Sequence, residues 1–309
     1  MKTIPIGSSA LTASRLAYGC WRIADATNDD PHASGRRAVL AAVEAGYTLF
    51  DHADIYCDGR GERIFGTVLQ EVSGLRARVV IASKCGIRKP AEPTPDAPYR
   101  YDFSADYIIS SCEQSLQRLG VETIDIYQLH RPDYLMNPDE VAGAFSRLKR
   151  AGKVREFGVS NFRTSQVIAL QRACPMRLIV NQVEISLANL TTLEDGTLDH
   201  CLAERLTPMA WSPLAGGLLA SGAKRILPSQ ENYQTKPTIA ALDALAQQRG
   251  ATRTAVALAW LLKHPAGITP IVGSTDPANI RACAAADSLD LTREEWYRLF
   301  EAARGQRLP

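Results

Sequence analysis

The sequence predicts an α/β protein built as a (β/α)8 barrel with one extra helix at its C-terminal end. Three observations lead there. Short apolar runs rich in β-branched residues alternate with longer stretches of helical period, eight such pairs follow one another, and no linker or low-complexity tract interrupts the 309 residues. A chain of this length, 46% hydrophobic, can bury one large core, so a single barrel domain over residues 1–309 is expected.

The strands and helices are expected in strict alternation. Arg15 to Gly19 precedes a helix near Ala33 to Ala45, and Thr48 to Asp51 precedes Glu62 to Val72. Val79 to Lys84 precedes Ala105 to Leu119, and Asp125 to Leu129 precedes Pro138 to Ala151. Val154 to Ser160 is followed by Ser165 to Ala173, and Leu178 to Gln182 by Leu198 to Arg205. The last two pairs are Pro208 to Trp211 with Thr252 to His264, and Thr269 to Val272 with Pro277 to Ala285. Asp106 and Pro138 suit first helical turns, while Gly46, Gly120 and Gly152 stand where helices end in a left-handed residue. The extra helix, Thr292 to Arg304, opens with Thr292 and Glu295 spaced as a capping box.

Two segments break the repeat. Residues 86–104 form a polar, proline-rich stretch after the third strand, and residues 213–237 a glycine-rich one after the seventh; both are expected as loops beside the active site. In such a barrel the chemistry lies at the C-terminal ends of the strands and in the loops that follow.

Composition excludes several functions. Lys and Arg number 35 against 33 Asp and Glu, and a net charge of +2 gives no field suited to a polyanion, so nucleic acid is not an expected partner. The seven cysteines are scattered without a C-x-x-C pair and read as reduced thiols of a cytoplasmic protein. No apolar stretch approaches the ~18 residues of a membrane span, and the N-terminus lacks a signal-like core. Nothing in the pattern sets the oligomeric state.

Placing polar residues against the strand ends gives a convergent set. Asp51 ends the second strand, Tyr56 follows in its loop, Lys84 ends the third, and His130 follows the fourth. A phenol is a weak acid, with a pKa near 10, and a neighbouring ammonium favours its ionised form. Lys84 is expected to lower the Tyr56 value, Asp51 to keep Lys84 charged and aimed, and His130 to hydrogen-bond the substrate oxygen. General acid catalysis alone contributes roughly 10²- to 10⁴-fold, so a separate hydride source or electrophile is implied.

The segments DHADIY (Asp51 to Tyr56), SKCG (Ser83 to Gly86), LHRPD (Leu129 to Asp133), GKVREFGVSNF (Gly152 to Phe162), NQVEIS (Asn181 to Ser186) and AWSPLAGG (Ala210 to Gly217) resemble the aldo-keto reductases, in family order over most of the chain. The resemblance implies NADPH-dependent reduction of a small aldehyde or ketone, with NADH as the other coenzyme to consider, and makes Asp51, Tyr56, Lys84 and His130 the catalytic tetrad. It also implies that Ser160, Asn161 and Gln182 meet the nicotinamide carboxamide and that Trp211, where most relatives carry Tyr, stacks under the ring. Ser212, Pro213, Leu214, Gly216 and Gly217 would hold the pyrophosphate. Gly273, Ser274, Thr275 and Asn279 fall at the adenosine end, but Gly273 stands where many relatives have Lys and Asn279 where Arg is common, which softens the expected NADPH preference; Arg281 is displaced.

Each residue also has a plain structural role open to it: Tyr56 as a packing tyrosine, Lys84 as a solvated lysine, Asp51 as a helix cap, His130 as a satisfied polar group, Asn161 and Gln182 as loop caps. Their convergence inside matching motifs favours the site. Trp21 is divided between lining the substrate pocket and packing; Cys57 is expected as an inert neighbour, His52 as packed beneath the site, and Arg131 as a loop ion pair. A nicotinamide-binding regulatory subunit without turnover is the alternative function. A metal-dependent hydrolase is disfavoured because the five histidines lack metal-ligand spacing, so no metal site is expected. No G-x-G-x-x-G follows the first strand, and the G-x-x-x-x-G at Gly217 to Gly222 continues Ala223, Lys224, unlike a phosphate loop.

Overall fold

A computed structural model describes residues 1–25, 30–220 and 235–309. The expected strands are present as Ala17–Gly19, Leu49–Asp51, Val80–Cys85, Ile124–Leu129, Val154–Ser160, Leu178–Glu184, Thr207–Trp211 and Thr269–Val272. They close into one parallel barrel in sequence order, the eighth returning to the first through Ile271↔Ala17 and Val272↔Tyr18.

Period-2 alternation within apolar runs explains the closure, because each strand is covered on both faces. Leu49, Val80, Ala82, Ile126, Val180, Met209 and Ile271 fill the interior. Phe50, Ile81, Tyr127, Phe157 and Val159 belong to the layer under the surrounding helices. Gly158 lets the fifth and sixth strands approach closely: a Cβ there would fall 2.2 Å from Val180 Cγ2 and 2.9 Å from its carbonyl oxygen. Just above that contact Ser160 pairs in register with Gln182.

Helix ends match the sequence to within a few residues. Gly46, Gly120 and Gly152 all have left-handed backbones (φ 87°, 64° and 70°). The final helix, Arg293–Arg304, carries the expected capping box: Thr292 N–H donates to Glu295 Oε2 at 2.7 Å and Glu295 N–H to Thr292 Oγ1 at 3.2 Å. It docks on the helix Arg253–Leu262 through the stacked Trp260 and Trp296 rings, 5.0 Å apart, whose indole N–H groups donate to each other's carbonyls.

Three features depart from expectation. An antiparallel hairpin, Thr3–Pro5 with Thr12–Ser14, precedes the barrel, and Ile6 and Ala13 beside it join the interior cluster. Its strands, three residues each, are too short to show a period. The segment after the third strand is not wholly loop, since Ile87–Arg88 pairs with Arg100–Tyr101. The helix Lys236–Gln248 begins within the stretch expected as loop, and Pro237 supplies its first-turn proline. Gly222, Ala223 and Lys224 lie outside the described residues.

Behind the second and third strands Glu62 is fully buried on the helix Arg60–Glu71. Arg118 Nε donates to its Oε2 and Ser83 Oγ to its Oε1, both at 2.6 Å. Removing one partner of a buried pair strands the other charge. Arg118→Ala should therefore cost about 3–5 kcal/mol, read as a lowered denaturation midpoint; an unchanged midpoint would show that Glu62 finds other compensation.

Candidate active site

Asp51 and Lys84 leave adjacent strands toward the barrel axis, and the three ammonium donors of Lys84 are fully used. Lys84 Nζ donates to Asp51 Oδ2 at 2.8 Å, to the His52 carbonyl at 2.8 Å and to Tyr56 OH at 3.2 Å. Gln182 Nε2 donates to the other carboxylate oxygen, Asp51 Oδ1, at 2.8 Å. The carboxylate is thus held from both sides, and Asp51 and Lys84 are both buried.

Tyr56 starts a single tight turn, Tyr56–Gly59, in which Cys57 and Asp58 adopt left-handed backbones (φ 48° and 59°). Non-glycine residues hold such angles only where their surroundings impose them. His130 N–H donates to the Cys85 carbonyl at 2.8 Å, which continues the ladder one residue beyond the fourth strand. This places its ring in edge contact with Tyr56, centroids 5.7 Å apart. The structure thereby brings all four residues of the expected tetrad together.

The electrostatics correct one expectation. Burial raises the Tyr56 pKa, and the lowering by Lys84 does not overcome it, so the phenol sits above its ordinary value. For Lys84, burial opposes the charge, but Asp51 and then Tyr56 outweigh it, and the ammonium is held above its ordinary value. Burial, followed by Lys84 and Arg131, drives His130 well below the usual imidazole range, so its ring is neutral near pH 7. His52 lies against Phe65 at 4.6 Å, and burial brings it down to about 3.

Next to this cluster the ends of the fifth, sixth and seventh strands are tied by one polar chain. Ser160 Oγ donates to the Gln182 carbonyl at 2.9 Å. Asn161, itself left-handed (φ 61°), donates from Nδ2 to Ser160 Oγ at 2.9 Å and to the His130 carbonyl at 3.1 Å. Its Oδ1 accepts from Trp211 Nε1 at 2.9 Å, which fixes the indole. Beyond it Ser212, Ala215, Gly216 and Gly217 run through positive φ (48°, 48°, 65° and 104°), with Pro213 buried and Leu214 half-buried between them.

At the far end Tyr18 OH donates to the Ser274 carbonyl at 2.9 Å, and Ser274 Oγ accepts from Asp276 N–H at 3.2 Å. Arg22 Nη1 reaches the Gly273 carbonyl at 3.4 Å. Thr275 is half-buried, while Asn279 and Arg281 are exposed on the helix Pro277–Ala284. After the neighbouring first strand Trp21, 49% exposed, stands 6.3 Å from the Tyr56 ring, and Cys57 Sγ contacts its carbonyl at 3.5 Å. Burial raises the Cys57 thiol pKa, which keeps it protonated at neutral pH.

Some residues around the site had no clear sequence signal. Asp54, whose N–H donates to the Lys84 carbonyl at 3.0 Å, is pushed up to about 7 by burial and then by Glu62. Gln128 is fully buried beside Lys84 in register; a polar residue inside the run IYQL was its only trace. Arg131 departs from expectation: among the described residues no carboxylate pairs with it, and its guanidinium lies over the Trp211 ring at 5.6 Å.

A (β/α)8 barrel with a hydrogen-bonded cluster of titratable groups at the C-terminal ends of its strands is the frame of an enzyme. The chain belongs to the aldo/keto reductase family, whose model matches residues 15–304. It is similar to 6-dehydroglucose reductase of Novosphingobium aromaticivorans, at 41% identity over 98% of this chain and 96% of that protein. Oxidoreductase YdhF of Escherichia coli is 39% identical over the full length of both. Among solved structures, the glycerol dehydrogenase of Gluconobacter oxydans superposes with a TM-score of 0.87 at 27% identity, covering 98% of this chain and 95% of that one. The protein is accordingly an NAD(P)H-dependent oxidoreductase. Among the described residues no helix is long and apolar enough to cross a membrane.

The residues at the barrel mouth fit such a coenzyme. A half-buried indole is held at a strand end by Asn161, and the positive-φ run after it brings backbone close to whatever lies in the groove.

Proposed function

We propose that this protein reduces aldehyde or ketone carbonyls of small molecules to alcohols with NADPH, and that Tyr56 delivers the proton. The observation that carries this reading is the Lys84 ammonium bonded at once to Asp51 and to the Tyr56 hydroxyl. The bound coenzyme would supply hydride, two electrons, to the carbonyl carbon. Tyr56 gives its proton to the carbonyl oxygen, and the phenolate left behind lies 3.2 Å from Lys84 Nζ, where the positive charge is already in place. Asp51 orients Lys84 and does not react. Gln182 and the His52 carbonyl hold that pair still, and His130, neutral, would hydrogen-bond the substrate oxygen.

Ser160 and Asn161 with Gln182 would face the carboxamide, Trp211 the nicotinamide ring, and Ser212, Pro213, Leu214, Gly216 and Gly217 the pyrophosphate. Gly273, Ser274, Thr275 and Asn279 would meet the adenosine end. The relative named 6-dehydroglucose reductase supports counting sugar-like carbonyls among the candidate substrates. The test follows nicotinamide absorbance against a panel of aldehydes and ketones with NADPH and NADH in parallel. Oxidation of neither coenzyme by any carbonyl would refute the proposal.

The raised Tyr56 and lowered His130 pKa values set the pH dependence. Reduction needs Tyr56 protonated and His130 neutral, and both hold through neutrality. The kcat/KM for reduction should stay level between about pH 6 and pH 8 and fall only on the alkaline side as Tyr56 ionises. A titration centred near pH 7 would point to another acid.

Coenzyme choice can be probed at Gly273. A Cβ there meets only Arg22 Nη1, at 3.8 Å, so a side chain fits without rearrangement. Gly273→Lys should tighten NADPH relative to NADH by about tenfold, the scale of one charge-assisted phosphate contact, measured as the ratio of dissociation constants. An unchanged ratio would remove residue 273 from the 2′-phosphate site.

A further inference from the structure

Arg131 directly follows His130 and stands where the pocket walls converge. Its guanidinium lies over the Trp211 ring at 5.6 Å, and it is close enough to Tyr56, His130 and Tyr99 for its charge to act on all three. Three acids around the site are committed elsewhere. Asp51 holds Lys84 and Gln182. Asp133 accepts from the N–H groups of Phe103 at 3.0 Å and Leu135 at 2.9 Å. Asp102 pairs with Arg88 at 2.8 Å. With Lys84 paired to Asp51, Arg131 brings to the site a positive charge that no carboxylate pairs with among the described residues, on a side chain that is half-buried and still has donors to offer.

A planar guanidinium beside aromatic walls matches a carboxylate in a bidentate arrangement better than it matches a neutral oxygen. We propose that Arg131 is a specificity-determining residue that selects carbonyl substrates bearing a carboxylate a few bonds from the reacting carbon, such as oxo acids and semialdehyde acids. The inference rests on the reductase reading above and adds the substrate class to it. The guanidinium is placed beside the Trp211 ring, so that a carboxylate held by Arg131 orients the carbonyl toward Tyr56 and His130.

The test compares 4-oxobutanoate with its methyl ester as substrates of the parent, Arg131→Gln and Arg131→Lys proteins. The parent should favour the acid by about 10- to 100-fold in kcat/KM, the range of one charge-assisted contact. Arg131→Gln should collapse that ratio toward unity through the KM of the acid, and Arg131→Lys should recover part of it. Binding of succinate to the protein with NADP+, followed by calorimetry, gives a readout independent of turnover and should weaken by the same factor in Arg131→Gln. If the parent reduces the ester as well as the acid, or if the ratio survives Arg131→Gln, the inference is overturned while the reductase reading stands. If neither compound is reduced, the calorimetry decides: succinate binding lost with Arg131 supports the anion site, and no binding to the parent refutes it. A variant that changes only the dissociation constant of the coenzyme would assign Arg131 to coenzyme contact and also refute it.

Discussion

Tyr56→Phe should abolish carbonyl reduction while leaving the barrel and its coenzyme groove intact. The substitution deletes one oxygen. Lys84 Nζ loses the partner at 3.2 Å but keeps Asp51 and the His52 carbonyl, both at 2.8 Å, so the buried charge stays compensated. The edge contact of ring 56 with His130, at 5.7 Å between centroids, survives because it needs only the ring. The loss therefore falls on proton delivery, and kcat should drop by about 10²- to 10⁴-fold with the coenzyme dissociation constant unchanged. Single-turnover absorbance and coenzyme titration separate the two quantities. Retained turnover would transfer the acid role, with His130 the next group in reach.

Lys84→Met should damage both stability and catalysis, and for one electrostatic reason. Methionine fills a similar volume but carries no charge, so Asp51, 2% exposed, is left as a buried carboxylate with the Gln182 amide as its one side-chain donor among the described residues. Breaking a buried ion pair from one side costs about 3–5 kcal/mol, which should appear as a lower denaturation midpoint. Tyr56, already raised by burial, loses the ammonium bonded to its hydroxyl, and the phenolate becomes harder to form. The double change Asp51→Asn with Lys84→Met should regain most of the stability and none of the activity. Recovery of activity in the double variant would mean that the pair is not needed for the proton step.

These two residues also show how far the sequence could be read. Asp51 and Lys84 were recognisable as ends of consecutive apolar runs, because strand period and loop placement together put them on the same face of a barrel. What the sequence could not supply was the balance of opposing effects on Tyr56. An ammonium neighbour lowers a phenol pKa and burial raises it; which prevails depends on how much solvent the folded walls exclude, and here burial prevails. Gln182 illustrates a similar gap. Beside the coenzyme contact that the family resemblance implies, its side-chain amide is seated on Asp51, across a separation of 131 residues that no local pattern encodes.

The eight-fold alternation, the strand ends and following loops that carry Asp51, Tyr56, Lys84 and His130, and the glycines that let helices stop and strands approach all follow from the amino-acid sequence alone. All of these are local: period, turn chemistry and the steric freedom of glycine act over a few residues. What distant neighbours set emerges with the folded barrel. The hairpin Thr3–Pro5 with Thr12–Ser14 is held by packing against the barrel and has no period of its own. Arg131, expected as an ion pair, faces Trp211 because the nearby acids are drawn to other donors. Charge compensation in a folded protein depends on which partners close space brings together, and that is fixed by the closed barrel and not by any one segment.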